Sequence, residues 1–154
     1  MMKLLLIVFM FIHHVSCAQV NNILSPEVKN FYAKAMPTIK PGVKDLIENM
    51  GNHFSNHSLD VDSLLSQLKN KKIMQPFGSH EIKGIIVLIM VQASENADLR
   101  IKQLVTHSTS KNQGDIAVDQ TNSIIQNKSQ IATNANMVMN NISVNKDEII
   151  SALK

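Results

Sequence analysis

The strongest feature of the hydrophobic pattern is an uninterrupted apolar run over residues 84–91, GIIVLIMV. A run of this length fits a buried strand or the middle of a buried helix, and periodicity alone does not separate the two. The flanks favour a helix, because Ser79 stands at an N-cap position and Glu81 lies in the first turn. Further apolar residues follow at helical spacing as far as Leu104. We therefore predict a long central helix over residues 80–106, apolar on every side in its first half and amphipathic in its second.

Three shorter segments before the central helix have the pattern of amphipathic helices. The first starts after Ser25, which is followed by a proline and a glutamate, and it must end before Pro37. The second runs over residues 43–54 and has Gly51 as a weak point, since glycine lowers helix propensity. The third runs over residues 59–68.

The last part of the chain carries a heptad pattern, in which one apolar row is shadowed by a second row one residue later. The rows are Ala117, Ile124, Ile131 and Val138, and Val118, Ile125, Ala132 and Met139. A third row four residues on, Thr121, Lys128, Ala135 and Ile142, completes the seam, and its polar breaks are Thr121 and Lys128. The outer face is mostly Asn, Gln, Ser and Thr. We predict a coiled-coil-like helix over residues 115–142 or longer. The tail over residues 146–154 either continues it or forms a last short helix.

A polar segment over residues 108–114, STSKNQG, separates the two long helices and predicts a turn. The predicted fold is therefore all-α, with short N-terminal helices packed on a long antiparallel helical hairpin. It forms a single domain over residues 19–154. We expect the heptad seam to cover the second half of the central helix of the same chain. Pairing of the seam with a second chain is the alternative.

Residues 1–18 have the composition of a secretory signal peptide. Lys3 is followed by an apolar stretch over residues 4–12, and Ser16 and Ala18 are small residues suited to a cleavage site. We expect cleavage after Ala18 and a secreted or periplasmic mature chain. The apolar stretch is too short for a transmembrane helix, which needs about 20 apolar residues.

The single cysteine, Cys17, lies in this cleavage region and leaves two interpretations open. Either it is discarded with the leader, or cleavage before it produces a lipoprotein. Val15 and Ser16 suit a lipoprotein site, whereas His14 stands where a leucine is expected. Lipidation at Cys17 is the one route by which we expect a membrane association. In both cases the folded part has no cysteine for a disulfide, so buried apolar surface must hold it together.

The charge pattern excludes two classes of partner. The formal net charge is +3 at pH 7, and the basic residues are scattered along the chain. A nucleic-acid-binding face needs a stripe of Lys and Arg with base-reading or aromatic side chains. A polybasic membrane site needs a dense cluster of basic residues. We expect neither kind of surface here.

No group of residues predicts a metal or a cofactor site. His53 and His57 are spaced i, i+4, as paired histidines on a helix are in zinc sites. However, no acidic residue stands next to them, and Gly51 and Asn56 indicate that the helix is ending. We expect two solvated turn histidines rather than metal ligands.

The sequence also lacks a pattern typical of catalysis. Ser79 follows a glycine, but the second glycine of a nucleophile elbow is missing. The paired carboxylates are Asp60 with Asp62 and Asp147 with Glu148. The first pair is explained by helix-start charges, and the glycines do not cluster as a phosphate loop requires. We therefore expect a protein that is not an enzyme, with no catalytic, cofactor-binding or metal residue.

Two functional hypotheses remain. The first is an exported, non-enzymatic helical interaction or structural protein, whose unknown protein partner or second copy binds the C-terminal heptad helix or its Asn/Gln-rich face. The alternative is a binding module for a small apolar ligand, such as a fatty acid or lipid, between the short N-terminal helices and the central helix. Three glycosylation sequons, at Asn56, Asn127 and Asn141, are close to the number expected by chance and do not discriminate.

Overall fold

A computed structural model describes residues 23–111 and 114–154, and it describes side chains outside residues 108–117. Within these ranges the chain is helical and contains no strand, which confirms the predicted all-α class. None of the helices described combines the length and hydropathy that a membrane crossing requires. The predicted leader over residues 1–18, its cleavage site and Cys17 lie outside the described residues.

Six α-helices and one 3-10 turn, Lys72–Met74, make up the described chain. The helices are α1 (Pro26–Ala35), α2 (Pro41–Phe54), α3 (Val61–Lys69), α4 (Ser79–Lys111), α5 (Gly114–Asn140) and α6 (Lys146–Ala152). α5 packs along α4, and α1, α2, α3 and α6 also contact α4. The long central helix of the sequence analysis is therefore present, with the other helices arranged around it.

The predicted turn between the long helices is shorter than its polar sequence indicates. α4 continues to Lys111 and α5 begins at Gly114, so most of the segment 108–114 is helical. Polarity was a poor guide to a chain break there, because polar residues are compatible with both a helix and a turn. At the other end α5 stops at Asn140 and the tail forms the separate helix α6, the second of the two predicted alternatives.

The helix starts follow capping chemistry. The Ser25 hydroxyl accepts a hydrogen bond from the Val28 amide at 3.2 Å, and Asp60 accepts one from the Ser63 amide at 2.9 Å. Ser79 is different, because it is the first residue of α4 rather than its N-cap. Gly78 occupies the preceding position, where its carbonyl accepts from the Ile82 amide at 3.0 Å.

The first half of α4 is buried on all sides, as the apolar run predicts. Each side chain over residues 85–91 is at most 2% exposed. Seven consecutive residues cover nearly two turns of a helix, so every side of this segment needs a covering element. Ile86 and Ile89 are 1% and 0% exposed, so both belong to the core, as the sequence predicts.

Two glycines allow the covering helices to approach α4 closely. A Cβ atom on Gly51 of α2 would lie 2.5 Å from Cγ and 2.7 Å from Cβ of Gln92. A Cβ atom on Gly84 of α4 would lie 2.7 Å from Cγ2 of Ile149 in α6 and 3.3 Å from Cζ of Phe31 in α1. Gly51 is therefore a packing requirement of the α2–α4 contact, although it weakens the helix that contains it.

The heptad seam packs inside the chain. Ile124, Ile131 and Val138 are at most 9% exposed in the isolated chain, where α5 contacts α4 more extensively than any other element. The second row divides: Ala132 and Met139 are buried, whereas Val118 and Ile125 are about half exposed. Ala117 lies among the residues whose side chains are not described.

The close α2–α4 approach generates the first prediction. Gly51→Ala should lower the free energy of unfolding by about 1–3 kcal/mol, because the new methyl group forces the two helices apart. Gly42→Ala in the same helix is the matched control. Its Cβ would meet the tip of the Ile73 side chain at 3.0 Å, and that side chain is 40% exposed and can move. Urea denaturation followed by circular dichroism measures both. Equal stability of the two variants would contradict the packing role of Gly51.

Candidate functional site

A cavity of about 530 Å³ lies between α1, α4 and α5, next to the segment that precedes α1. Small-molecule sites in proteins usually measure about 300–1,000 Å³ and combine apolar walls with a few polar groups. The apolar wall includes Leu24, Ala33, Val91 and Ala132. The polar wall includes Lys29, Tyr32, Ser94, Glu95, Asp98 and Lys128. This cavity is the best candidate for a functional site in the described chain.

Small side chains create the space at the junction of the three helices. Ala33 of α1, Ser94 of α4 and Ala132 of α5 all line the cavity. Ser94 and Ala132 are each 2% exposed. Two buried positions on α4 and α5 therefore carry small residues rather than Leu or Ile. A single large apolar residue at either position would fill part of the cavity.

Tyr32 is held over the cavity by two side chains of α4. Its hydroxyl lies 2.6 Å from Oε1 of Gln92 and 3.1 Å from Oε2 of Glu95, and it donates to these acceptors. Burial, and secondarily the negative charge of Glu95, raises the pKa of Tyr32 well above its usual value. The phenol therefore stays protonated and fixes α1 against α4 at the cavity wall.

An ion pair joins α4 to α5 at the cavity. Nζ of Lys128 lies 2.6 Å from Oδ1 of Asp98, and the two side chains are 33% and 49% exposed. Pairs with this exposure contribute little to stability because solvent screens them. The ion pair explains why the heptad seam tolerates Lys128, which was predicted as a polar break. It also places a cation and an anion together on the cavity wall.

Asn136 of α5 holds the segment that forms the open wall of the cavity. Its Oδ1 accepts from the Ser25 amide at 2.9 Å, and its Nδ2 donates to the Ile23 carbonyl at 2.8 Å. Ile23 itself is 60% exposed, whereas Leu24 is partly buried and packs against the hydrophobic core. We refer to residues 23–25 as the wall segment.

Two other asparagines of α5 hold loops of the chain in the same way. Nδ2 of Asn127 donates to the carbonyls of Phe54 and His57 at 3.1 and 3.3 Å. Nδ2 of Asn134 lies 3.5 Å from the Leu59 carbonyl. Part of the Asn/Gln-rich face of α5 is therefore engaged within the chain. Asn127 is also the acceptor residue of a glycosylation sequon. A glycan on its Nδ2 would replace one of the two N–H groups that donate to Phe54 and His57.

The histidine pair weighed in the sequence analysis is stacked. The rings of His53 and His57 have centroids 4.4 Å apart at an interplanar angle of 10°, and Nδ1 of His57 lies 2.9 Å from the His53 carbonyl. The part of the chain that the structure describes contains no group of three His, Cys, Asp or Glu side chains able to hold a metal ion.

The other polar residues weighed for chemistry lie at helix starts, and the structure does not bring them together. Asp60 caps α3 and Asp62 lies in its first turn. Asp147 and Glu148 lie in the first turn of α6, where Asp147 is 3.5 Å from Nζ of Lys34. Ser79 is exposed at the start of α4.

A second candidate set of residues lies in the second half of α4 and the first half of α5. It consists of four large apolar residues, each 48–56% exposed: Leu99, Val105, Val118 and Ile125. Leu99 and Val105 belong to α4, and Val118 and Ile125 belong to α5. We call this set the hairpin-end surface.

The sequence did not identify the cavity residues, although the alternative hypothesis placed a ligand between the short N-terminal helices and the central helix, two of the three walls. One signal was present, since Ser94, Glu95 and Asp98 interrupt the apolar pattern just after the buried run. Comparisons of the chain with protein-family models, with curated proteins and with solved structures found no match. The site therefore has to be interpreted from its own geometry.

The wall segment generates the second prediction. Asn136→Ala removes both hydrogen bonds to it, each with a net stabilisation of about 1 kcal/mol, so hydrogen exchange at the Ser25 amide should accelerate about tenfold or more. Exchange in the first half of α4 should change little. Asn140→Ala is the control, because Asn140 is exposed on the same helix. Unchanged exchange at Ser25 in the Asn136 variant would show that other contacts hold the wall.

Proposed function

We propose that the protein is an exported, non-enzymatic helical binding module that holds a small amphiphilic ligand in the cavity between α1, α4 and α5. The observation that carries the proposal is the cavity itself, about 530 Å³ with both apolar and charged walls. Apolar walls favour an aliphatic or aromatic group, and the charged side chains at the same site favour a polar end. The alternative hypothesis of the sequence analysis placed such a ligand between the short N-terminal helices and the central helix, and this proposal adds α5 to the site.

The two surfaces that the first hypothesis would offer to a partner are partly engaged within the chain. Ile124, Ile131 and Val138 are buried. Asn127, Asn134 and Asn136 bind loop backbone. These contacts reduce the surface of the heptad helix that is available to a protein partner. They therefore favour the cavity as the primary site.

Export through the leader is part of the same proposal. Its support is the order of charged, apolar and small residues over residues 1–18, with cleavage after Ala18 and a secreted or periplasmic mature chain. Lipidation at Cys17 is the alternative, and in that case the mature protein stays at a membrane. Intact mass of protein recovered from an exporting host reads the cleavage point and distinguishes a chain starting at Gln19 from a lipid-bearing Cys17.

The third prediction concerns filling of the cavity. Ala33 lines the cavity on an exposed position of α1, so Ala33→Trp should occupy part of the space without disturbing the core. We expect binding of a fluorescent fatty-acid analogue, dansyl undecanoate, to weaken at least about tenfold, or about 1.4 kcal/mol. Fluorescence titration of protein purified without detergent measures the affinity.

Ala152→Trp is the matched control, since Ala152 is exposed on α6 and does not line the cavity. It should bind the analogue as the unmodified chain does. If Ala33→Trp and Ala152→Trp bind equally well, the ligand does not occupy this cavity. If the unmodified chain does not bind the analogue, the proposed function is wrong for fatty-acid-like ligands.

A second candidate function is protein–protein interaction through the hairpin-end surface, the first hypothesis of the sequence analysis with a different surface. It is supported by the four exposed apolar residues defined above, because large apolar side chains that a chain leaves exposed can mark an interaction site. The partner that we propose for this surface is a second copy of the chain, which every purified sample contains.

The fourth prediction tests this candidate. Wild-type protein should show an apparent mass that rises with concentration in sedimentation equilibrium, by mass action. Ile125→Asp should stay monomeric and folded, because it places a charge on an exposed position of the surface. Gln126→Asp, exposed one residue further along α5, should behave as wild type. A wild-type protein that is monomeric at every concentration excludes self-association as the role of this surface.

A further inference from the structure

We propose that the ligand of the cavity is a single-chain amphiphile with an anionic head group, a carboxylate above all, and that Lys29 binds this head group. The inference rests on the proposed function and specifies its ligand class. It follows from which charged groups of the cavity are already engaged by the protein and which are left for a ligand.

The two carboxylates of the cavity both have donors within the chain. Glu95 accepts a hydrogen bond from the Tyr32 hydroxyl at 3.1 Å. Asp98 accepts one from Nζ of Lys128 at 2.6 Å. The Tyr32 hydroxyl has one proton, which it shares between Oε1 of Gln92 at 2.6 Å and Oε2 of Glu95. Each carboxylate of the cavity therefore already accepts at least one hydrogen bond from the chain.

The cation that remains is Lys29. It lines the cavity from an exposed position on α1, and within the described residues it makes no ion pair and no side-chain hydrogen bond. Lys29 lies three and four residues before Tyr32 and Ala33, so the three side chains share one face of α1. An ammonium group on a four-carbon stem reaches an anion over a range of positions, which suits a mobile carboxylate.

Other groups of the cavity complete the match to an amphiphile. The hydrocarbon chain has Val91, Ala132 and Leu24 as apolar contacts. Ser94 adds a hydroxyl at a position that is 2% exposed, where it can donate to a carboxylate oxygen. Nζ of Lys128 provides a second positive charge on the wall, although Asp98 already binds it. Among the charged side chains of the wall, Lys29 is therefore the one without a hydrogen-bond partner or ion pair in the described residues.

The experiment compares three probes with the same twelve-carbon chain: laurate, its methyl ester and dodecylamine, each used as a monomer below its micelle concentration. Isothermal titration calorimetry at neutral pH measures their affinities for the full chain as purified from the exporting host. We expect laurate to bind about tenfold more tightly than the ester and the amine, which corresponds to about 1.4 kcal/mol. Lys29→Gln should abolish most of this preference.

Two variants separate the charge of Lys29 from other effects. Lys29→Arg keeps the positive charge and should retain the preference for laurate. Lys71→Gln changes the net charge of the protein equally at an exposed residue outside the cavity, and it should bind as wild type does. A loss of preference in both Gln variants would assign it to net charge and overturn the role of Lys29.

The remaining outcomes distinguish this inference from the proposed function. If all three probes bind equally and Lys29→Gln changes nothing, the cavity binds apolar chains but the head-group assignment is wrong. If dodecylamine binds most tightly, Glu95 and Asp98 select the ligand and the assignment is reversed. If no probe binds, the proposed function and the inference both fall.

Discussion

The structure depends on burial of the first half of α4 on every side. Residues 85–91 are at most 2% exposed, and their side chains point in all directions around the helix axis. α1, α2, α3, α5 and α6 each contact this helix, so each covers part of its circumference. The single cysteine of the chain lies in the predicted leader. Burial of apolar surface, at about 25 cal/mol per Å², therefore has to supply the stability that disulfides give many exported domains.

The cavity lies where this complete cover of α4 ends. Val91 is still 2% exposed, whereas Asp98 and Leu99, only two turns later, are partly and largely exposed. Beyond that level α5 is the main cover, and the hairpin-end surface appears. The two candidate sites thus have a common origin. The N-terminal helices are too short to follow α4 over its whole length, so the protein has a recess at their edge and exposed apolar residues beyond it.

The sequence predicted features that depend on local periodicity and missed those that depend on how three helices meet. The apolar run 84–91 and the heptad rows located α4 and α5, because burial imposes those patterns directly. The end of α4 at Lys111 was missed, since polar residues are compatible with both a helix end and a turn. The cavity was missed because Ala33, Ser94 and Ala132 are unremarkable within their own helices. Their effect comes from facing one another, which no single-helix pattern contains.

Amide side chains of α5 attach connecting segments of the chain to the helical core, including one wall of the cavity. α5 binds connecting segments through Asn127, Asn134 and Asn136, whose hydrogen bonds to backbone are directional but individually small, about 0.5–1.5 kcal/mol each. The wall segment has only one of these asparagines, and its first residue, Ile23, is 60% exposed. Displacing that wall breaks two hydrogen bonds and the contact of Leu24 with the core, whereas separating α4 from α5 exposes the whole buried seam. The wall segment is therefore attached to the core over a smaller area than α5 is.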